Sequence, residues 1–510
     1  MFLKRAFSSI AQLSSDRFSM IAQEIRDTIL RQPGKAYLVD AKTGRKLSYG
    51  DLDVCSALYA SCLQSQLAKG QTAMLMLNSA VSIMPSILAC WRMGVIPAVL
   101  DPQTPFERFK IISRLIMPTV VVTDAPLGGE YAGITQVRLD QAYGDQLTLR
   151  SFEIELDDNA VPCILLFSSG TTGTPKCVPL SLSNVRANVL SFNSRLGITR
   201  EDVFLSVSPL WYAHALYNSF LTALFLGATV VYGGVLSLIS AEGIIRAGCE
   251  NCATIVHVTP SMLPILTLIG KRTKQPVPRF QHVICGTAKL DMQDKANFEE
   301  CYRVPITQQY GMTEVLIMAV NETCQQEKPE SVGSPVGCTI EVRDEYNTAS
   351  PLGVAGDIMV KSASSYGSYY GQADETAAAY SAGWFRTGDI GIVDSDGCLT
   401  ITGRRKDIIK RGGFSIGAEE IDSALRQVAG VVEAATVGVS DQTYGEEVYT
   451  FVVASMTMTE ESLIQHCRKF LPRSHIPKRI FFTTDLPKTV SGKIMKHQLQ
   501  VDALMKLRGS

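Results

Sequence analysis

Leu165-Leu-Phe-Ser-Ser-Gly-Thr-Thr-Gly-Thr-Pro-Lys176 is the stretch that decides how this chain is read. An apolar run suited to a buried strand enters a loop of hydroxyl and glycine residues that ends in a lysine. Backbone N–H groups, hydroxyls and an ammonium in such a loop can wrap phosphate oxygens. The spacing from Gly170 to Lys176 imitates a P-loop, but two positions fail. Pro175 stands where Gly should precede the lysine, and Cys177 where the Mg²⁺-binding hydroxyl should follow. Proline has no N–H to give, so a P-loop cradle would lack a donor. A flexible Gly/Thr turn is the bland alternative, and such turns are seldom this rich in hydroxyls.

Outward from this loop, strand-like and helix-like patterns alternate. Ser48-x-x-Asp51 predicts a capped helix start. Apolar runs at Thr72–Leu77, Val95–Leu100, Val120–Thr123, Cys163–Phe167 and Val203–Val207 predict buried strands, with a helix over Ala80–Met93. Buried strands separated by amphipathic helices predict an α/β fold with parallel-type sheets. A chain of 510 residues exceeds one core. The texture changes at the polar, basic Gly403-Arg-Arg-Lys-Asp407, between apolar Leu399–Thr402 and Ile408–Lys410. The expected organisation is a large N-terminal domain, residues 1–404, joined by a hinge to a small C-terminal α+β domain, residues 405–510.

With 48 basic and 49 acidic residues the net charge is -1, so nothing draws the chain generally to nucleic acid or anionic lipid, and any phosphate site is local. The 13 cysteines, odd in number and scattered, suit reduced thiols in a cytosol-like compartment. Cys249 and Cys252 form one CxxC pair, open to a zinc or redox reading but without a second pair to complete a ligand set. Val203–Ala241 carries no Asp, Glu, Lys or Arg and is long enough to span a bilayer. Pro209, His214, Asn218, Gly227, Gly233 and Gly234 interrupt it, so a buried helix followed by a strand at Ala228–Tyr232 is expected instead. The leader Met1–Ser9 is basic, contains Ser and meets no acid until Asp16. It reads either as a frayed start, in a cytoplasmic protein, or as a transit peptide for the mitochondrial matrix.

Ser168–Lys176 resembles the signature loop of the adenylate-forming superfamily, which includes acyl- and aryl-CoA synthetases, adenylation domains and luciferases. Further segments follow in the order that superfamily has, over a resemblance running from about Leu47 to Gln498. They are Pro209–Leu216, Gln309-Tyr-Gly-Met-Thr-Glu314, Trp384-Phe-Arg-Thr-Gly-Asp389, Ile401-Thr-Gly-Arg404, Gly412-Gly413 and Pro487-Lys-Thr-Val-Ser-Gly-Lys493. One such motif is weak evidence and the ordered series is strong. The chain is most similar to an acyl-CoA synthetase. Departures at Cys177, Thr287, Lys289 and Gly417 remove no group the chemistry needs, though they blur the subfamily.

The resemblance implies a ligase that uses Mg²⁺·ATP to turn a carboxylate into an acyl-AMP, then passes the acyl group to coenzyme A. A carrier-protein thiol is the alternative acceptor. It assigns Ser168, Ser169, Gly170, Thr171, Thr172, Gly173, Thr174 and Lys176 to the ATP phosphates, with Thr171, Thr172 and Lys176 on the leaving β/γ pair. Gly286, Thr287 and Ala288 would line the adenine pocket with Tyr310, which would stack on the base, and Gly311 would also belong to the ATP site. Thr313 would meet the α-phosphate, Glu314 would hold the metal, and Asp389 would take the ribose hydroxyls with Arg404 beside it. Lys493 would bridge the substrate carboxylate and the α-phosphate, which places it with Thr313, Glu314 and Lys176 as catalytic. Lys406 matches the hinge, and Gly412 and Gly413 the tunnel for the thiol arm, where a Cβ would narrow the passage.

The acyl pocket falls on Trp211, His214, Tyr217 and Met262 within the segments Trp211–Tyr217, Val258–Met262, Gly286–Ala288 and Gln308–Leu316. Trp211–Tyr217 lacks the Asp that amino-acid-activating members use to hold an α-ammonium. The expected acid is an apolar aliphatic or aromatic monocarboxylate, since burying its chain contributes about 0.8 kcal/mol per methylene. The rival is a small dicarboxylate held by His214 or Lys289. A non-catalytic scaffold of the same fold would need none of the phosphate, metal and lysine positions. If Lys493 serves adenylation alone, Lys493→Ala should slow carboxylate activation roughly 10²–10⁴-fold. It should still convert chemically supplied acyl-AMP and CoA to thioester. Equal loss of both half-reactions in a single-turnover assay would reject that role.

Overall fold

A computed structural model describes residues 20–128, 131, 135–139, 154, 156, 161–168, 175–272, 277–323, 326–411, 414–441, 444–471, 473–489 and 492–508. The basic leader, the loop residues Ser169–Thr174 and Gly412–Gly413 lie outside them. Backbone contacts divide the chain into two units. One comprises residues 1–339 and 360–385, the other 340–359 and 386–510. The contact division therefore departs from the break expected at residue 404. Residues 386–404 and the separate stretch 340–359 group with the C-terminal residues, and no local change of composition marks those points.

The larger unit holds two sheets among the described residues. The nine-stranded sheet runs, in spatial order, Ser334–Pro335, Leu316–Asn321, Ile306–Met312, His282–Cys285, Ile255–Val258, Val203–Ser206, Thr229–Tyr232, Ala36–Asp40 and Lys46–Ser48. Its six central strands, Ile306–Met312 through Ala36–Asp40, pair in parallel and the edges pair antiparallel. The six-stranded sheet runs Gln136–Arg138, Val120–Thr123, Thr72–Met76, Ile96–Val99, Ile164–Ser168 and Lys176–Leu180. It is parallel except for its last pair. Short apolar strands such as Thr72–Met76 are buried along their whole length, as strands covered on both faces must be.

The helix Ala80–Arg92 shows why the sequence folds this way. Every one of its residues is buried, and a helix that is apolar nearly all round has to lie inside. The indole of Trp91 is fully buried, and its Nε1 donates to the Cys163 carbonyl at 2.6 Å, tying the helix to the start of the strand Ile164–Ser168. The helix Tyr49–Leu63 begins with the expected capping box, Ser48 and Asp51 each satisfying the other's backbone N–H. Within Val203–Ala241 the chain forms the strand Val203–Ser206, short helical turns from Ala213 to Leu226 and the strand Thr229–Tyr232. No helix among the described residues is long and apolar enough to cross a membrane.

In the smaller unit the long hairpin Val431–Asp441 with Gly445–Ala454 is extended by Ile408–Arg411, Phe414–Gly417 and, in parallel, Arg479–Thr483. The helices Ala418–Arg426 and Glu460–Phe470 close its core over Ile409, Ile421, Leu425, Val452 and Leu463. The chain is thus α/β, with a large N-terminal body of mixed, mainly parallel sheets and a smaller α+β unit.

Trp91→Ala should destabilise the larger unit by about 3–5 kcal/mol, the cost of an unfilled indole site. A urea midpoint unchanged from the wild type would contradict this account of the buried helix.

Candidate active site

The candidate residues fall in both units, and each group is built by its own local structure. In the larger unit the ends of the signature loop are fixed by strand register. Ser168 ends one strand, Lys176 begins the next, and the two stand directly opposite in an antiparallel pair. The structure thus makes Lys176 the first residue of a strand. Of the seven residues between them, Ser169–Thr174 lie outside the described residues.

Glu314 lies in the turn Thr313–Val315, where Ile306–Met312 folds back on Leu316–Asn321. The return is tight: a Cβ on Gly311 would meet the Leu316 carbonyl oxygen at 2.6 Å. The Glu314 carboxylate is 4% exposed. Ser168 Oγ donates to its Oε1 at 3.0 Å and the Tyr369 hydroxyl donates to the same oxygen at 3.1 Å. Oε2 takes no hydrogen bond from a described residue. One oxygen pinned and one left open suits a hard divalent cation, which takes carboxylate oxygen. Burial, reinforced by the Glu314 charge, pushes the Tyr369 hydroxyl far up from its ordinary range, so it stays a donor. Lys176 Nζ lies 4.8 Å from the centre of the Tyr369 ring and 3.2 Å from Glu375 Oε2.

The adenine candidates share the ends of the central strands. Gly286 follows His282–Cys285, and a Cβ there would strike Gln309 Cγ at 2.7 Å. Thr287 holds the left-handed region at φ 77°, and its buried Oγ1 lacks a partner among the described residues, as does Gln309 Oε1. Ala288 is exposed, and Tyr310 is buried on Ile306–Met312. In open α/β sheets the carboxyl ends of parallel strands are where ligands bind.

The acyl candidates sit on an irregular helical stretch. Leu216–Leu221 is a π-helical turn, a form often found at functional sites. Tyr217 donates to Asn188 Oδ1, and Asn188 in turn bonds both the N–H and the carbonyl of Ile317. His214 is buried. Its Nδ1 lies 3.4 Å from Ser208 Oγ and its Nε2 lacks a partner among the described residues. Burial pushes its pKa down to about 4, so the ring is neutral. The His257 ring lies edge-on to it at 6.0 Å and is pushed well down too, by burial first and then by His214 and His282. Trp211 and Met262 are half-buried, and Lys289 is exposed.

In the smaller unit Asp389 is 3% exposed and directly opposite Arg404 in an antiparallel pair. Arg404 Nε lies 2.8 Å from Asp389 Oδ1. Lys406 occupies the short turn Arg405–Asp407, its ammonium pushed down by burial and by Arg404. Lys493 is half-buried and closes a tight turn. Its carbonyl accepts from Thr489 N at 2.8 Å, its N–H donates to Thr489 Oγ1 at 3.2 Å, and Gly492 holds φ 80° between them. Cys249 and Cys252 gather no third ligand: no group of three metal-binding side chains occurs among the described residues.

Sequence reasoning missed Tyr369, Glu375, Asn188 and His257. The one signal was the Tyr369-Tyr-Gly-Gln372 stretch, whose polar and aromatic composition resembles any surface turn.

The fold and the ordered positions of these side chains are those of an adenylate-forming enzyme. The chain belongs to the AMP-binding enzymes: residues 25–370 match the AMP-binding enzyme family and residues 420–493 its C-terminal domain. It is 31% identical to oxalate–CoA ligase of Arabidopsis thaliana over 67% of this chain and 66% of that one. It is 28% identical to 2-succinylbenzoate–CoA ligase of Bacillus licheniformis, covering 96% and 98%. Among solved structures, ATP-bound MatB from Rhodopseudomonas palustris superposes with a TM-score of 0.86 at 25% identity, over 94% of this chain and 98% of that one. The chain is an AMP-forming acid–thiol ligase of the acyl-CoA synthetase type.

The two neutral histidines set a pH dependence. Unfolded, each takes a proton near its ordinary pKa of about 6.5, whereas folded His214 stays neutral down to about 4. The unfolded state binds more protons in that window, so stability is full above it and falls as pH drops through it. Between pH 7 and 5, His214→Phe should lose roughly 1–2 kcal/mol less than the wild type. Equal losses in urea titrations at the two pH values would show His214 to be protonated when folded.

Proposed function

We propose that the enzyme converts an apolar aliphatic or aromatic monocarboxylic acid to its CoA thioester, using ATP and Mg²⁺ in two steps. In the first, a carboxylate oxygen attacks the α-phosphorus of ATP, the bond to the bridging oxygen breaks, and pyrophosphate leaves with its electron pair. In the second, the CoA thiolate attacks the acyl carbon of the acyl-AMP and AMP leaves.

A carboxylate is a poor electrophile because its leaving group would be oxide, and adenylation supplies a better one. Catalysis then rests on positioning and on cations placed where phosphate charge develops. Lys176 is suited to the leaving phosphates and Thr313 to the α-phosphate. Bound at the open oxygen of Glu314, Mg²⁺ would neutralise phosphate charge. Asp389, buried and held by Arg404, is suited to accept ribose hydroxyls. Lys493 is proposed to meet the two reacting anions, with Lys406 the pivot between half-reactions and Gly412–Gly413 the thiol passage. The carrier-protein thiol remains the alternative acceptor.

The observation that carries the choice of acid is the burial of His214, which pushes its pKa down to about 4. The only charged side chain in the four acyl-pocket segments is Glu314, an anion. A second carboxylate buried there would lack a partner, at a cost of several kcal/mol. The dicarboxylate reading is favoured by the similarity to ligases named for oxalate and for 2-succinylbenzoate, each an acid with two carboxylates. Its remaining cation, Lys289, is exposed.

Pyrophosphate exchange over a medium-chain fatty-acid series and benzoates should exceed exchange with oxalate and malonate. Preference for the dicarboxylates, lost in Lys289→Met or His214→Phe, would reverse the choice of acid and leave adenylation standing.

A further inference from the structure

An acid and a base that serve the same triphosphate face a problem of their own. An ammonium and a carboxylate close together in a partly buried site attract each other strongly. A direct Lys176–Glu314 ion pair would turn the cation away from phosphate and the anion away from metal. The ion pair that Lys176 makes is with Glu375.

We propose that Tyr369 is a positioning residue that keeps Glu314 and Lys176 apart and aims each at its own part of Mg²⁺·ATP. The inference rests on the assignment of Glu314 to the metal and Lys176 to the phosphates. The phenol touches both charges and uses a different surface for each. Its hydroxyl donates to Glu314 Oε1, which Ser168 Oγ also holds. Two donors on one oxygen fix the rotation of the carboxylate and leave Oε2 pointing in one direction. The ring face meets the Lys176 ammonium at 4.8 Å, a cation–π contact. Glu375 holds the ammonium from another side, so a long, flexible stem is confined.

The ring can serve as a spacer because its backbone is anchored to the strand that carries Lys176. Tyr370 N donates to the Cys177 carbonyl at 2.9 Å, and Cys177 N donates to Gln372 Oε1 at 2.8 Å. Gln372 Nε2 reaches the Pro175 carbonyl at 3.3 Å, and Tyr369 N donates to Thr376 Oγ1 at 2.9 Å. Tyr380 packs against the ring edge-on at 5.9 Å. These bonds flank Lys176 on both sides in sequence, so the lysine and the tyrosine move as one body.

The test separates the two surfaces of the ring and the reading beneath them. Mn²⁺ affinity in the presence of ATP is measured by electron paramagnetic resonance, and affinity for metal-free ATP by calorimetry. The variants are Tyr369→Phe, Tyr369→Leu, Glu314→Gln and the double variant Tyr369→Phe/Glu314→Gln. Tyr369→Phe keeps the ring and should weaken Mn²⁺ roughly 10-fold, the usual cost of losing a group that orients a metal ligand, with metal-free ATP affinity unchanged. Tyr369→Leu should weaken both. The double variant should bind Mn²⁺ no more weakly than Glu314→Gln, because both changes act through one carboxylate. Wild-type Mn²⁺ affinity in Tyr369→Phe, beside a loss in Glu314→Gln, would reject the role of Tyr369. An additive loss in the double variant would reject it too, and that comparison stands even if the leucine variant fails to fold. Wild-type Mn²⁺ affinity in Glu314→Gln would instead reject the metal assignment on which the inference rests.

Discussion

A carboxylate taken out of water must be held, and Glu314 ties separate segments of the larger unit together. Removing its charge from solvent without partners would cost several kcal/mol. Two hydroxyls supply partners, and they come from segments far apart in sequence: Ser168 from the strand before the signature loop and Tyr369 from a segment two hundred residues later. Satisfying one anion therefore fixes three chain segments at a point. The strand register places Lys176 opposite Ser168, so the cation proposed for the phosphates is located by the same constraint.

What the sequence disclosed follows from what kind of contact makes each feature. The capping box at Ser48 and Asp51 is local, and it forms as read. Buried strands such as Thr72–Met76 and Val120–Thr123 announce themselves by unbroken apolar runs. The ordered motifs brought Glu314, Lys176, Asp389 and Lys493 to notice by resemblance. Periodicity carries no sign of strand direction, so the antiparallel return of Lys176–Leu180 was not legible. Nor was the grouping of residues 340–359 with the C-terminal unit, which depends on long-range contacts. Tyr369 was missed because an aromatic in a polar turn reads as surface until its partners are known.

The pocket histidines show how burial can reverse a first impression. Read from sequence, His214 is the one cation an acyl pocket could offer to a second carboxylate. Buried beside His257, it is held neutral, and what it presents is a polar ring edge. A site that accommodates an apolar or aromatic acid and a site that tolerates an occasional hydrogen bond then need no different architecture. If His214 lines the acyl pocket as proposed, the two would differ in what meets its Nε2, which lacks a partner among the described residues.

The acyl-pocket candidate Tyr217 is also tied by hydrogen bonds to the strand that follows the Glu314 turn. Tyr217, on the π-helical turn, bonds Asn188, and Asn188 bonds both backbone groups of Ile317. Ile317 lies three residues beyond Glu314, at the start of the strand that follows the turn. Any displacement of Tyr217 by an acyl group would be passed through a buried amide, whose hydrogen bonds are costly to leave unmade, to the strand that sets the Glu314 turn. On the roles proposed above, an acid that fits without displacing Tyr217 would leave the Glu314 carboxylate where Ser168 and Tyr369 hold it. One that does not fit would disturb the Glu314 turn as well as its own pocket, so selectivity for the acid would register in the rate of adenylation as much as in binding.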